Sequence, residues 1–387
     1  MNIAFDAKRA FTNGTGLGHY SRTLIQSLDE YYPMHDYFLC TPKVTNRFDV
    51  NVLQHAHVVT PQSFPSTFLT SAWRSKWVKK DLEYLDIDIY HGLSHEIPIG
   101  IQHTTTKSVV TIHDLIFERY PQQYNRIDVG IYRKKFQYAC KNASRIIAIS
   151  KQTKDDIIQF YKIPERKIDV CYQSCNPAFT LAVSAAEKQR IKQLYNLPDR
   201  YFLYVGSVIE RKNLLTICKA MKLLKDALNI PLVVIGDGDK YMQQVKKYIE
   251  ENGLGERIIF LSYDPTIKDL RSYKSASDFP AIYQQALCMI YPSIFEGFGI
   301  PVLEALCSRI PVITSNVSCL PEAGGPGAMY VDPLDVQQMA AAMQAATVYD
   351  NGREVMIEKG WQHAQLFTPQ KCAEKVMQVY EKIIPHD

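Results

Sequence analysis

Short apolar runs, most of them rich in β-branched residues, recur along almost the whole chain and limit its fold more than any other feature. The first half carries NIAF (2–5), YFLC (37–40), HVVT (57–60), DIDIYH (86–91), SVVTI (108–112), RIIAI (145–149) and KIDVCY (167–172). The second carries YFLYV (201–205), PLVVI (231–235), RIIFL (257–261), CMIY (288–291), PVIT (311–314) and AMYV (328–331). Such near-continuous runs belong to strands covered on both faces, and the helical stretches between them make parallel βαβ crossovers. Between the halves, QSCNPAFTLAVSAAEKQR (173–190) has a Pro and no strand pattern, and NLPDR (196–200) precedes the next run, so a hinge is expected near 174–198. The architecture that follows is α/β, with two Rossmann-like doubly wound domains facing each other across a cleft. They are expected at residues 1–175 and 190–368, with a C-terminal helix at about 369–387 that packs back on the first.

Composition removes several classes of function. The 387 residues are 46% hydrophobic and 22% charged, an ordinary globular balance that favours two domains over one. No apolar run approaches the roughly 18 residues that cross a bilayer. The start, MNIAFDAKRAF, lacks a signal-peptide core and reads as a first strand, which points to the cytoplasm. Nine cysteines, an odd number without any CxxC, point to reduced buried thiols; the closest pair in sequence is Cys171 and Cys175. A net charge of +4 is too mild to imply nucleic acid.

In doubly wound sheets, ligands bind at the carboxyl ends of strands, where loops meet helix N-termini. One such junction is SIFEGFGIPVLEA (293–305). Glu296 falls in the loop after a strand, at the mouth of the expected cleft. Gly297 and Gly299 let the backbone approach a ligand, Pro301 suits the first helical turn, and Glu304 lies about one turn in. A helix N-terminus attracts phosphate, whereas two carboxylates repel it. Both are satisfied by a ligand with phosphates in the middle and hydroxyls at each end, a nucleotide sugar. The stretch YVGSVIERKNL (204–214) adds Gly206 and then Arg211 and Lys212 at a helix opening, positive charge able to replace a metal beside a departing diphosphate. Lys212 is expected to be exposed.

The chain resembles the family 4 retaining glycosyltransferases of GT-B fold. The E-x7-E segment EGFGIPVLE carries the resemblance most strongly. GTGLGHYS (14–21), VTIHDLIFERYP (110–121), IIAISKQTKDDI (146–157), VGSVIERKNL, VIGDGD (234–239) and PVITSNVSCLPEAGG (311–325) agree with it in order. The resemblance implies sugar transfer from a nucleotide donor, with retention at the anomeric carbon and no metal or other cofactor. It puts Glu296 beside the donor sugar, the amides of Phe298, Gly299 and Ile300 near sugar and diphosphate, and Glu304 on the ribose. Arg211 and Lys212 would neutralise the diphosphate, Gly16 would bring its backbone toward it across the cleft, and His113 would reach the sugar. IHDLIFERYP and ISKQTKDDI look most like bacterial mannosyltransferases that use GDP-mannose to build lipid-linked or surface polysaccharide; a UDP-hexose donor stays open.

Other readings compete. His113 at a strand end can simply bond a backbone carbonyl. Gly14, Gly16 and Gly18 form G-x-G-x-G, which fails as a dinucleotide fingerprint and reads instead as a flexible loop over a donor. DID (86–88) and DGD (237–239) match the short metal-binding D-x-D pattern of other sugar transferases, but both read as structural, and Glu322 reads as a supporting helix-start residue. Competing functions are a nucleotide-sugar epimerase or phosphorylase on the same fold, and a non-enzymatic sugar-nucleotide binder. Finally, FLTSAWRSKWVKKDLEYL (68–85) reads as an amphipathic helix. Leu69, Trp73 and Trp77 form one stripe flanked by Arg74, Lys76, Lys79 and Lys80, so peripheral contact with an anionic membrane competes with packing of both indoles into the core.

Overall fold

The computed structural model describes residues 1–62, 65–348 and 351–384. They form two compact units, Met1–Ser174 with Phe367–Asp387, and Cys175–Leu366.

All thirteen runs become strands. The first unit holds β1 (Asn2–Asp6), β2 (Asp36–Cys40), β3 (Ala56–Val59), β4 (Ile89–Gly92), β5 (Lys107–Ile112), β6 (Arg145–Ala148) and β7 (Ile168–Val170). They pair in parallel in the order β3-β2-β1-β4-β5-β6-β7. Side chains alternate between two cores, which is why the runs are apolar throughout. Ile3, Phe5, Ile89 and Ile147 pack with Leu24, Ile25 and Leu28 of the helix Gly16–Tyr31. Ala4, Tyr90, Ile146 and Ala148 pack with Phe136 and Ala139 of the helix Arg126–Asn142. Each large apolar side chain buried in this way contributes about 1.5–3 kcal/mol.

The helix Pro369–Glu381 lies against Gly16–Tyr31 and gives Ala373, Val376, Met377 and Tyr380 to the first of those cores. Residues 385–387, the end of the expected terminal helix, lie outside the described residues.

The second unit holds β8 (Phe202–Val205), β9 (Leu232–Ile235), β10 (Ile258–Phe260), β11 (Cys288–Tyr291), β12 (Val312–Ser315) and β13 (Ala328–Val331). They too are parallel, in the order β10-β9-β8-β11-β12-β13. The chain builds outward from β8 in one direction and from β11 in the other. The β8/β11 pair is therefore the switch point at which doubly wound sheets bind ligands.

Two sequence expectations fail here. Residues 14–18 do not form a flexible loop, because Gly16 opens the helix Gly16–Tyr31. The tight position is Gly18, where a Cβ would stand 2.0 Å from the Asn13 carbonyl oxygen, while at Gly16 it would meet nothing within 4 Å. Nor is 68–85 one regular helix. Trp73–Trp77 is a wide π turn, closed by the Val78 N–H on the Trp73 carbonyl. The expected stripe is broken: Leu69 is exposed, whereas Trp73 is buried in the core and donates its indole N–H to Asp81 at 2.6 Å. Trp77 packs half-buried against the same core. Arg74, expected at a membrane rim, turns inward to clasp Asp6 and reaches Glu96 at 3.0 Å. Of the two indoles that motivated a membrane surface, Trp73 is a core residue and Trp77 is half-covered by that core. Among the described residues, no helix is long and apolar enough to cross a membrane.

Candidate functional site

Two loops meet at the second unit's switch point. β11 ends at Tyr291, and the chain then runs through Glu296 to Gly299, which caps the helix Ile300–Cys307. Gly299 has φ +108°, and a Cβ there would stand 2.9 Å from Leu320 Cδ2, so only glycine turns this corner. Pro301 occupies the first turn, where a missing N–H costs nothing. The Ile300 N–H, also in that turn, has no intrahelical acceptor. Behind the loop, Ser318 Oγ both accepts from the Glu296 N–H (3.2 Å) and donates to its carbonyl (2.9 Å).

β8 ends at Val205, and Gly206 follows with φ +147°. A Cβ on Gly206 would lie 2.8 Å from Lys212 Nζ, so the glycine leaves room for that side chain. Arg211 and Lys212 close the short turn Glu210–Lys212; Asn213, at φ +57°, separates them from the helix Leu214–Leu223. The Ile294 N–H donates to the Arg211 carbonyl at 2.8 Å, binding the two loops together.

Their side chains converge on one oxygen. Glu296 Oε1 lies 2.8 Å from an Arg211 nitrogen, accepts from Tyr291 Oη and Ser293 Oγ at 2.9 Å each, and is 3.8 Å from Lys212 Nζ. Both side-chain hydrogen bonds fall on Oε1. Burial pushes the Glu296 carboxyl up, but Lys212 and Arg211 outweigh it and hold the group below its ordinary range. Burial likewise lowers the Lys212 ammonium, against the pull of Glu296. Lys212 is thus not the exposed side chain expected from sequence. Its side chain is 15% exposed, donates to Tyr291 Oη at 2.9 Å, and stands 5.2 Å from that ring's centroid. The reason is local: Gly206 opens a slot, and Tyr291 and Glu296 satisfy the charge within it.

Glu304, in the Ile300 helix, differs from Glu296. Tyr283 donates to its Oε2 at 2.8 Å. Burial pushes its carboxyl up to about 7, opposed by the Tyr283 hydrogen bond and the Lys212 charge. Lys212 therefore acts on both carboxylates.

Gly297, Phe298, Gly299 and Ile300 line this same loop, while Gly16 and His113 belong to the first unit. His113 is buried with both ring nitrogens engaged: Nε2 donates to the Leu93 carbonyl at 2.9 Å, and Nδ1 meets the Gln173 amide at 2.9 Å. Desolvation lowers it to about 4, so the ring is neutral. Nε2 thus makes the backbone-carbonyl bond weighed above for a strand-end histidine. The D-x-D pairs do local work: Asp88 accepts the Asn2 N–H at 2.7 Å, and Asp237 accepts from Tyr263 at 2.8 Å. Glu322 sits in the first turn of the short helix Leu320–Gly324. Among the described residues, no group of three or more His, Cys, Asp or Glu side chains is placed to hold a metal ion. All nine cysteines are free and buried.

Sequence reasoning passed over Tyr283, Tyr291, Ser293 and Ser318. Both tyrosines lie in apolar stretches, where a tyrosine reads as core. For Tyr291, Ser293 and Ser318 the available signal was their place at or just after the carboxyl end of a strand; Tyr283, in the short helix Phe279–Tyr283, gave none.

Residues 185–363 match the model of the glycosyl transferases group 1, and residues 14–179 that of glycosyltransferase family 4. The O-antigen chain mannosyltransferase B of Escherichia coli is 27% identical, over 98% of this chain and 100% of that protein. The O-antigen chain mannosyltransferase RfbU of Salmonella typhimurium is 27% identical over 86% and 87%. Among solved structures, Anabaena Alr3699/HepE in complex with UDP and glucose superposes with a TM-score of 0.72 at 15% identity, covering 99% of each chain. The fold is GT-B.

Proposed function

Because this chain belongs to glycosyltransferase family 4, we propose that it transfers a hexose, with mannose the sugar its relatives favour, from a nucleotide sugar to an acceptor. The acceptor is a saccharide or lipid-linked saccharide of a surface polysaccharide or glycolipid. The observation that carries this reading is the gathering of Arg211 and Lys212 around Glu296 at the β8/β11 switch point, beside the start of the Ile300 helix.

In this reading the bond from the anomeric carbon to the diphosphate oxygen breaks, and its electron pair stays on the phosphate. The acceptor hydroxyl oxygen bonds to the anomeric carbon from the same face, so configuration is retained, and its proton passes to the departing phosphate oxygen. Lys212 and Arg211 stabilise the charge growing there, as fixed donors aimed at a developing anion do. With those two charges in place, transfer runs without a divalent metal. The Glu296 carboxylate accepts from the sugar's hydroxyls, and Glu304 accepts from the ribose. GDP is the expected carrier; UDP is favoured instead by the solved structure that holds UDP and glucose.

Thermal unfolding with GDP, UDP, GDP-mannose, UDP-glucose and NAD, each with EDTA, tests the proposal. A ligand that binds only the folded state raises its midpoint. GDP- or UDP-linked ligands should do so in EDTA and NAD should not. No shift with any nucleotide would overturn it.

A further inference from the structure

Resting on that assignment of Lys212 and Glu296, we propose that Tyr291 is a positioning residue for the transfer reaction. Its hydroxyl ties the ammonium and the carboxylate into one line, so that Lys212 is held aimed before the donor arrives.

The direction of each bond follows from the groups. An ammonium only donates, so Tyr291 Oη accepts from Lys212 at 2.9 Å and gives its single proton to Glu296 Oε1, also at 2.9 Å. The direct Lys212–Glu296 separation, 3.8 Å, is too long for a hydrogen bond. The tyrosine hydroxyl therefore bridges two groups that do not bond each other. Tyr291 is itself fixed: it is the last residue of β11, 1% exposed, and its carbonyl accepts from Thr314 Oγ1 at 2.9 Å. Lysine carries its charge on a flexible four-carbon stem, whereas tyrosine turns about two side-chain bonds. A rigid hydroxyl at the strand end is what gives the mobile ammonium one position. Without it, Lys212 can close the gap to Glu296 and become half of an ordinary ion pair, drawn away from an incoming phosphate.

Tyr291→Phe keeps the buried ring and removes only the bridge. The expected result is a kcat lower by roughly 10–100-fold, in the range found for single oriented donors or somewhat below it, with nucleoside diphosphate affinity changed less than about threefold. Because Glu296 loses a donor, the acid limb of the kcat profile should also move to higher pH. If Tyr291 acts through Lys212, the pair Tyr291→Phe with Lys212→Met is no slower than Lys212→Met alone. Wild-type turnover in Tyr291→Phe, or losses that multiply in the double variant, would overturn the proposal. A slow Lys212→Met beside a normal Tyr291→Phe sinks only the role of Tyr291. Wild-type turnover in Lys212→Met instead sinks the reading of the site on which it rests. Equal unfolding midpoints for wild type and Tyr291→Phe exclude a folding defect; if the variant does not fold, the wild-type acid limb decides, and one at the ordinary glutamate value contradicts the bridge.

Discussion

An Arg211 nitrogen stands 2.8 Å from Glu296 Oε1, so a cation assigned to the donor's diphosphate is paired to the carboxylate assigned to its sugar. The pair shows how two charged groups persist in a buried site: each offsets the other's charge.

Removing the carboxylate should therefore separate binding from chemistry. In Glu296→Ala, Arg211 and Lys212 lose their protein counter-charge, so affinity for free GDP or UDP should hold or rise. Turnover should fall roughly 10²-fold as the sugar loses its partner. Calorimetric titration beside steady-state rates checks this; a large loss of nucleotide affinity would contradict it.

Lys212 predicts a joint loss of stability and activity. Lys212→Met fills the slot beside Gly206 but takes from the buried Glu296 the largest of its favourable charges, and removing one partner of a buried pair is destabilising. The unfolding midpoint should fall while turnover drops about 10²–10³-fold. A variant as fast as wild type removes Lys212 from the reaction.

Glu304 makes binding depend on pH. Its carboxyl is raised from 4.5 to about 7, so the folded ligand-free protein holds this proton more tightly than the unfolded chain. Its contribution is therefore a loss of stability as pH rises from about 4.5 to about 7. Ribose hydroxyls donate best to the ionised form. Nucleotide affinity should fall roughly tenfold from pH 8 to pH 6, and Glu304→Gln should flatten the profile. An unchanged slope in that variant refutes the assignment.

Trp73 tests the first unit. Trp73→Ala should cost about 3–5 kcal/mol in denaturant unfolding, the price of emptying a core site, without changing sedimentation with anionic vesicles. A stable variant that loses vesicle binding would restore the indole to the surface.

The central strands were legible because a strand covered on both faces must be apolar at nearly every position, as β9 and β11, buried throughout, are. The edge strand β3, with no buried residue, showed itself only by its β-branched run. Glu296, Gly299, Pro301 and Glu304 stood out because a glycine turn between carboxylates serves no core. Burial of Lys212 was not legible, since it depends on Gly206 and on Tyr291, 79 residues away in the chain. The π turn at Trp73–Trp77 was hidden for another reason: one extra residue per turn leaves four-residue spacing intact while turning its side chains elsewhere. The neutrality of His113 was hidden too, because it rests on burial by the rest of the fold, which outweighs the Leu93 hydrogen bond.

The most direct measurement of the central claim is release of nucleoside diphosphate from GDP-mannose and UDP-glucose in EDTA, with extracted lipid-linked saccharide as acceptor. The anomeric configuration of the product is then read by NMR. Acceptor-dependent release that survives chelation, with the donor's configuration kept and the rate reduced at least about a hundredfold in Lys212→Met, is the predicted result. Inverted product, or release that stops in EDTA and returns with Mg²⁺ or Mn²⁺, would contradict the account.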